Sequence, residues 1–230
     1  MDSTRTIETM RGSGPSTPRG WGALSVATIL LLIVFQLPIV GWLVPGKSFA
    51  AMAGGEVIFW AMTLIILGYV VFVERRPLGS IGLKRLSWKS VAFGLIATVI
   101  AMGGAVLMYL VIFPALGVQL NQAEASMSSL QATPLWFQIL LALRAAVFEE
   151  VFYRGFAIER LTEIIGSRWL AALLSLAGFT AAHLNYWGWV PLIVVAFQGA
   201  VLTGLYLLRR DLGSNMIAHF ACDVVSFLLL

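Results

Sequence analysis

Long apolar runs without polar alternation are the feature that most limits what this chain can become. Ile29–Phe35 and Val190–Phe197 hold no charged residue, and comparable runs recur from Trp21 onward. In lipid every backbone N–H and C=O must be satisfied internally, so only α-helices and closed β-barrels span a bilayer. A barrel strand alternates lipid-facing and lumen-facing residues, and these runs do not. The sequence therefore predicts an all-α, polytopic transmembrane helical bundle. Composition points the same way: 11% of residues are charged and the mean hydropathy is +0.91, whereas soluble domains carry about 25% charge. Soluble enzymes, disordered chains and free-standing nucleic-acid binders are excluded on that ground. The single cysteine, Cys222, excludes an intramolecular disulfide and a Cys-rich metal site.

A helix crosses the ~30 Å hydrocarbon core in about 20 residues. Breakers at Pro45-Gly46, Arg75–Gly79, Gly117, Pro134, Gly166 and Gly213 divide the chain into about seven membrane helices. They lie near 21–44, 50–73, 90–116, 134–158, 168–186, 189–208 and 213–230. Residues 1–20 are rich in Ser, Thr, Gly and Pro and read as a disordered cytoplasmic tail before a single transmembrane domain, 21–230. Residues 117–133 read as the one long polar loop. Of the fifteen Lys and Arg, thirteen fall in the tail (Arg5, Arg11, Arg19), in 75–89, in 154–168 and at Arg209-Arg210. The opposite loops hold only Lys47, and Arg144 lies inside the fourth helix. Basic residues mark cytoplasmic loops, so the N-terminus is expected in the cytoplasm and the C-terminus outside. The net charge of +4 is then a topological signal, and no nucleic-acid partner is expected. The compact size and short loops suggest a prokaryotic plasma membrane.

Ionisable groups inside a bilayer cost about 2.5–3.5 kcal/mol each on insertion scales and mark function by default. Five such residues and their neighbours form three short patterns: Glu149-Glu150-x-x-x-Arg154, Phe179-x-x-x-His183 and His219-x-x-x-Asp223. Both histidines of the chain belong to this set, and His is the side chain suited to proton transfer near neutral pH. Glu150 and Arg154, spaced i,i+4, share one helix face. That pairing would hold Glu150 fixed and leave Glu149, rotated about 100° away, free to act as a general base. His219 and Asp223 are also i,i+4, so Asp223 is expected to orient the imidazole. Phe179 would wall His183 against lipid. By the helical rise, Glu149 and Asp223 agree in depth, about 14 and 15 Å from the inner ends of their helices, whereas His183 comes out near 23 Å, deeper by more than a turn. Glu56 and Arg144 are expected to neutralise each other away from the site.

In this order, the three patterns resemble the CPBP family of intramembrane proteases, which includes the CAAX prenyl endopeptidase called Ras-converting enzyme. Gly155 after Arg154 also fits, and the likeness covers about 135–230. It implies a catalytic half near 134–230 that hydrolyses a peptide bond within the membrane. Carried over, Glu149 would activate water with help from His183, His219 and position 223 would stabilise the oxyanion, and Glu150 would complete the set with Arg154 as its ion-pair partner. Position 223 is Asp rather than the commoner Asn, and an ionised carboxylate cannot donate to an oxyanion. No cofactor is expected, although a zinc ion on His183, His219 and Glu149 is the metal alternative. The implied partner is a membrane-associated peptide or protein, prenylated or not. The competing reading is non-catalytic: a proton-coupled carrier, or an immunity or scaffold member of the same family.

Overall fold

The computed structural model describes residues 21–46 and 48–229, and the expected tail lies outside the described residues. Eight helices of ten residues or more follow one another: α1 (Trp21–Gln36), α2 (Phe49–Val73), α3 (Trp88–Ala115), α4 (Asn121–Gln131), α5 (135–165), α6 (Arg168–Ala182), α7 (Leu192–Arg209) and α8 (Leu212–Leu229). No strand occurs among the described residues. Each boundary has a local cause. Ser48, Ser87 and Ser167 cap α2, α3 and α6 by accepting from the N–H of Ala51, Ser90 and Leu170, which satisfies orphan donors of the first turn. Pro134 and Pro191 stand just before α5 and α7. Gly166, at φ +78°, ends α5 in the left-handed conformation that glycine tolerates.

Three helices, α2, α3 and α7, are long and apolar enough to cross a membrane by length and composition among the described residues. Their outward faces are apolar: Leu64, Phe72, Val99, Leu110 and Leu208 are all more than 60% exposed. Exposed tryptophans sit near helix ends, with Trp88 and Trp169 at the starts of α3 and α6 and Trp136 at the start of α5, as interfacial anchors do. The chain is an integral membrane protein.

Several boundaries differ from the sequence expectation. Residues 117–133 are not one loop, because Asn121–Gln131 is helical. Its serines are weak helix formers, and tertiary contact holds the helix, with the Ser126 hydroxyl donating to Tyr186 O at 2.7 Å. The first expected span is broken near Pro38, leaving α1 and a short helical turn, Ile39–Leu43. α5 runs on to Ile165 rather than stopping near 158. Arg154, counted above with the basic loops, is therefore in the protein interior, 1% exposed.

α8 packs against α3 and α5, α7 against α3 and α6, and α2 against α5. The centre of α5 is a π-helical stretch, Glu150–Ala157, and all eight of its residues are buried. Such wide turns occur mostly at functional positions. Around them lies the main core, including Phe148, Phe152, Phe156, Phe179 and Tyr206. Gly155 is there by necessity: a Cβ would stand 2.8 Å from Ile81 O and 2.9 Å from Leu212 Cδ1. Its absence lets the 78–82 turn and the first residue of α8 press onto α5. The Leu212 N–H donates to Gly82 O at 2.9 Å, so α8 begins inside the protein.

The basic segments meet at one end. Arg160 donates to both carboxylate oxygens of Glu74, Arg76 and Arg160 both reach Glu163, and Arg210 pairs with Glu159. The 74–89, 159–168 and 209–211 segments thus share one end of the bundle, as the charge pattern requires.

Candidate active site

The long α5 removes the mismatch in depth. Counted to Ile165, Glu149 lies about 24 Å from the helix end, and His183, directly after α6, about 22 Å from Arg168. His219 is only about 10 Å into α8, and the buried start of that helix makes up the difference. Three helices of unequal reach therefore deliver their side chains to one level.

Glu150 is fully buried, and each oxygen has a partner. Oε1 accepts from Arg154 Nη1 at 2.9 Å and from His219 Nδ1 at 2.8 Å; Oε2 accepts from Asn215 Nδ2 at 3.0 Å. Arg154 also donates to Gly199 O at 3.1 Å and lies over the Phe179 ring, 4.2 Å from its centroid. Gly199 lets α6 pack closely on α7 here, since a Cβ would meet Phe179 and Leu176 at 2.9 Å. Asn215 donates in addition to Leu202 O at 2.7 Å. Glu150 thus fastens α5, α7 and α8 together.

Glu149 is held differently. Its Oε1 faces Arg144 Nη1 at 3.7 Å. Its Oε2 is buried without a hydrogen-bond partner and faces two imidazoles, His183 Nε2 at 3.7 Å and His219 Nε2 at 3.8 Å. Hydrogen bonds define both rings. His183 Nδ1 lies 2.7 Å from Phe179 O, and a carbonyl only accepts, so Nδ1 carries a proton and Nε2 is the atom turned toward Glu149. His219 gives its Nδ1–H to Glu150 and turns Nε2 toward Glu149 and toward Asp223 Oδ2, 3.7 Å away. Phe179 flanks both rings, with centroids 4.6 Å from His183 and 6.4 Å from His219.

Two expectations change. Glu150, not Asp223, is the carboxylate that hydrogen-bonds His219, because the π-turn of α5 brings it nearer than the neighbour one turn along α8. Glu56 and Arg144 do pair, Nε to Oε1 at 2.9 Å, but not away from the site, since Arg144 also reaches Glu149. Asn215 was missed. Its signal was present, as it precedes His219 by four residues and so lies on the same face of α8. Cys222 is buried.

Beside this constellation lies a cavity of about 350 Å³. His183, His219 and Asp223 are at its polar edge, and side chains of α3, α7 and α8 such as Val106, Val194 and Phe227 form apolar walls. Two imidazoles and a carboxylate are ligand types for zinc. Among the described residues, no group of three His, Cys, Asp or Glu is arranged to hold an ion with the side chains as they stand.

The arrangement supplies a carboxylate with one open oxygen, two oriented imidazoles and an apolar recess. A family model described as type II CAAX prenyl endopeptidase Rce1-like matches residues 131–225. No curated protein and no solved structure matches the chain.

Proposed function

With residues 131–225 belonging to the Rce1-like family of the CAAX proteases, we propose that this protein is an intramembrane endopeptidase in which Glu149 activates the attacking water. One observation carries the reading: the unpartnered Glu149 Oε2 and the Nε2 atoms of His183 and His219 converge from three helices at 3.7 and 3.8 Å. Those separations are too long for direct hydrogen bonds and suit a bridging water.

The chemistry follows from the proton positions. A water between Glu149 and His183 donates one proton to each, so its oxygen lone pair is free to attack. Attack on the substrate carbonyl passes a proton to Glu149 and places negative charge on the carbonyl oxygen. His219, doubly protonated, keeps its Nδ1–H on Glu150 and offers Nε2–H to that oxyanion, a preorganised donor of the kind that contributes most to such reactions. Glu149 then returns its proton to the leaving nitrogen as the C–N bond breaks. The acid so formed still carries the second water proton and gives it up to the amine, so the products are a carboxylate and an ammonium. Asp223 accepts rather than donates, and acts on His219 across 3.7 Å.

The substrate is a membrane-associated peptide whose apolar group, prenyl or side chain, occupies the recess beside His183 and His219. By the positive-inside rule the basic end of the bundle is the cytoplasmic one in this reading, with the N-terminus inside and the C-terminus outside. No step in this mechanism requires a metal ion.

Purified full-length protein assayed with fluorogenic prenyl-CAAX and unprenylated peptides, with and without chelator, tests the proposal. Cleavage should persist in chelator and fall by about 10²–10⁴ in Glu149→Gln and in His183→Ala, with both variants still folded. Absence of cleavage by the wild-type protein would leave the carrier or scaffold reading standing, and full cleavage by those variants would take the reaction away from Glu149 and His183. Loss in chelator would assign the His183, His219 and Glu149 set to a metal.

A further inference from the structure

We propose that Arg144, anchored by Glu56, is a positioning residue that sets the orientation of the Glu149 carboxylate. The inference rests on Glu149 being the base and adds a second layer to it. Glu149 must present one oxygen to water, and nothing on its own side chain decides which. Arg144 lies five residues earlier on the same helix, and its Nη1 faces Oε1 at 3.7 Å. The oxygen turned to the histidines is then Oε2, which is buried without a hydrogen bond.

Arg144 is itself fixed at two points. Its Nε donates to Glu56 Oε1 at 2.9 Å, and its guanidinium lies over the Phe59 ring, 4.3 Å from the centroid. Glu56 and Phe59 are both on α2, with Glu56 only 5% exposed. α2, which contributes no residue to the three sequence patterns, therefore reaches Glu149 through one guanidinium. Arg154 could not serve, because Glu150 and Gly199 occupy it. A buried ion pair is weak evidence for stability alone, since apolar replacements are often neutral. A third contact, on the carboxylate that bears the open oxygen, points to a role in alignment.

The variants Arg144→Gln, Arg144→Lys, Glu56→Gln and Glu56→Gln/Arg144→Gln separate alignment from charge neutralisation. Arg144→Gln alone strands Glu56 as a buried unpaired charge and can unfold the protein. The double variant removes both charges, so its thermal midpoint should return toward wild type. Its kcat should nevertheless stay about 10- to 100-fold low, the scale of a misplaced group, with KM within about twofold. Arg144→Lys should regain part of the lost kcat. A double variant with wild-type kcat would overturn the proposal, because Arg144 would then only neutralise Glu56.

A second measurement does not depend on cleavage. Glu149 in the double variant should react with the apolar reagent dicyclohexylcarbodiimide several-fold faster than in wild type, read by mass spectrometry of the labelled peptide. Equal rates would overturn the assignment. If the wild-type protein cleaves no peptide, the endopeptidase reading falls and this labelling alone decides the role of Arg144.

Discussion

Two charge clusters of similar composition sit at different depths of this protein, and they are built to different ends. At the basic end, Arg160 grips both oxygens of Glu74, while Glu159 receives Arg210 and the Tyr206 hydroxyl. At the centre, Glu150 is equally well supplied, but Glu149 Oε2, Glu56 Oε2 and Asn215 Oδ1 are buried without hydrogen-bond partners. These are the unpartnered buried side-chain atoms among the described residues, and all belong to the central cluster. A stranded polar atom costs about 1–3 kcal/mol. The end cluster is satisfied and the centre is not, and of the three central atoms Glu149 Oε2 is the one the proposed reaction uses.

The contrast can be broken or sharpened by removing one partner at a time. The largest stability loss should come from Arg154→Met, which leaves Glu150 buried and short of its guanidinium, at a cost of about 3–5 kcal/mol. Denaturation in mixed micelles would measure it, and a loss under 1 kcal/mol would mean that Glu150 is not held as an ion. Asn215→Ala should cost about 1–3 kcal/mol, because Glu150 Oε2 and Leu202 O each lose a donor. It should also lower cleavage, as the tie between α7, α8 and Glu150 slackens.

The start of α8 gives a smaller, pH-dependent effect. Asp211 accepts from the Gly213 N–H at 3.1 Å and the Ser214 hydroxyl at 2.7 Å, capping the helix that carries His219. Burial works against its ionised form, but hydrogen bonds from Ser214, Ser90 and Gly213, with Arg209 nearby, outweigh that and hold the carboxyl below its ordinary value. A depressed carboxyl stabilises the fold above its unfolded pKa, and the contribution is lost as pH falls through the folded value. Asp211→Ala should therefore cost about 1 kcal/mol at pH 7, and the gap from wild type should begin to narrow below about pH 4 and go on narrowing as pH falls through the lowered folded value. A gap that does not narrow at all on acidification would assign the effect to packing instead. The smallest change belongs to the outer pair of the end cluster: Arg76→Ala, which breaks the half-exposed contact with Glu163, should cost under about 1 kcal/mol. It should leave kcat untouched, since that contact lies far from Glu149 along α5.

How far the site could be read in advance depended on whether its contacts stay within one helix. Glu150 with Arg154 is such a contact, and so is Phe179 with His183, because the helical period alone places residues four apart on one face. The partner of His219 could not be read that way. Asp223 was the candidate on the same helix, yet Glu150 on α5 is closer, and only the packing of α5 against α8 decides between them. Arg144 was visible as an intramembrane charge, but its reach to Glu149 depends on how α2 and α5 meet. The helical state of 121–131 was hidden for a related reason, since its serines favour no helix without the Tyr186 contact.

The sequence by itself determined the all-helical class, the shared end of the basic segments and the residues proposed here to carry chemistry, because hydropathy, charge and helical period are local properties of a chain in lipid. The tertiary structure decided which oxygen of which glutamate is left open. That choice depends on distances between α2, α5, α6 and α8, on the continuation of α5 to Gly166, and on the buried start of α8. No local rule can state those distances, because each is set by how neighbouring helices fit against one another.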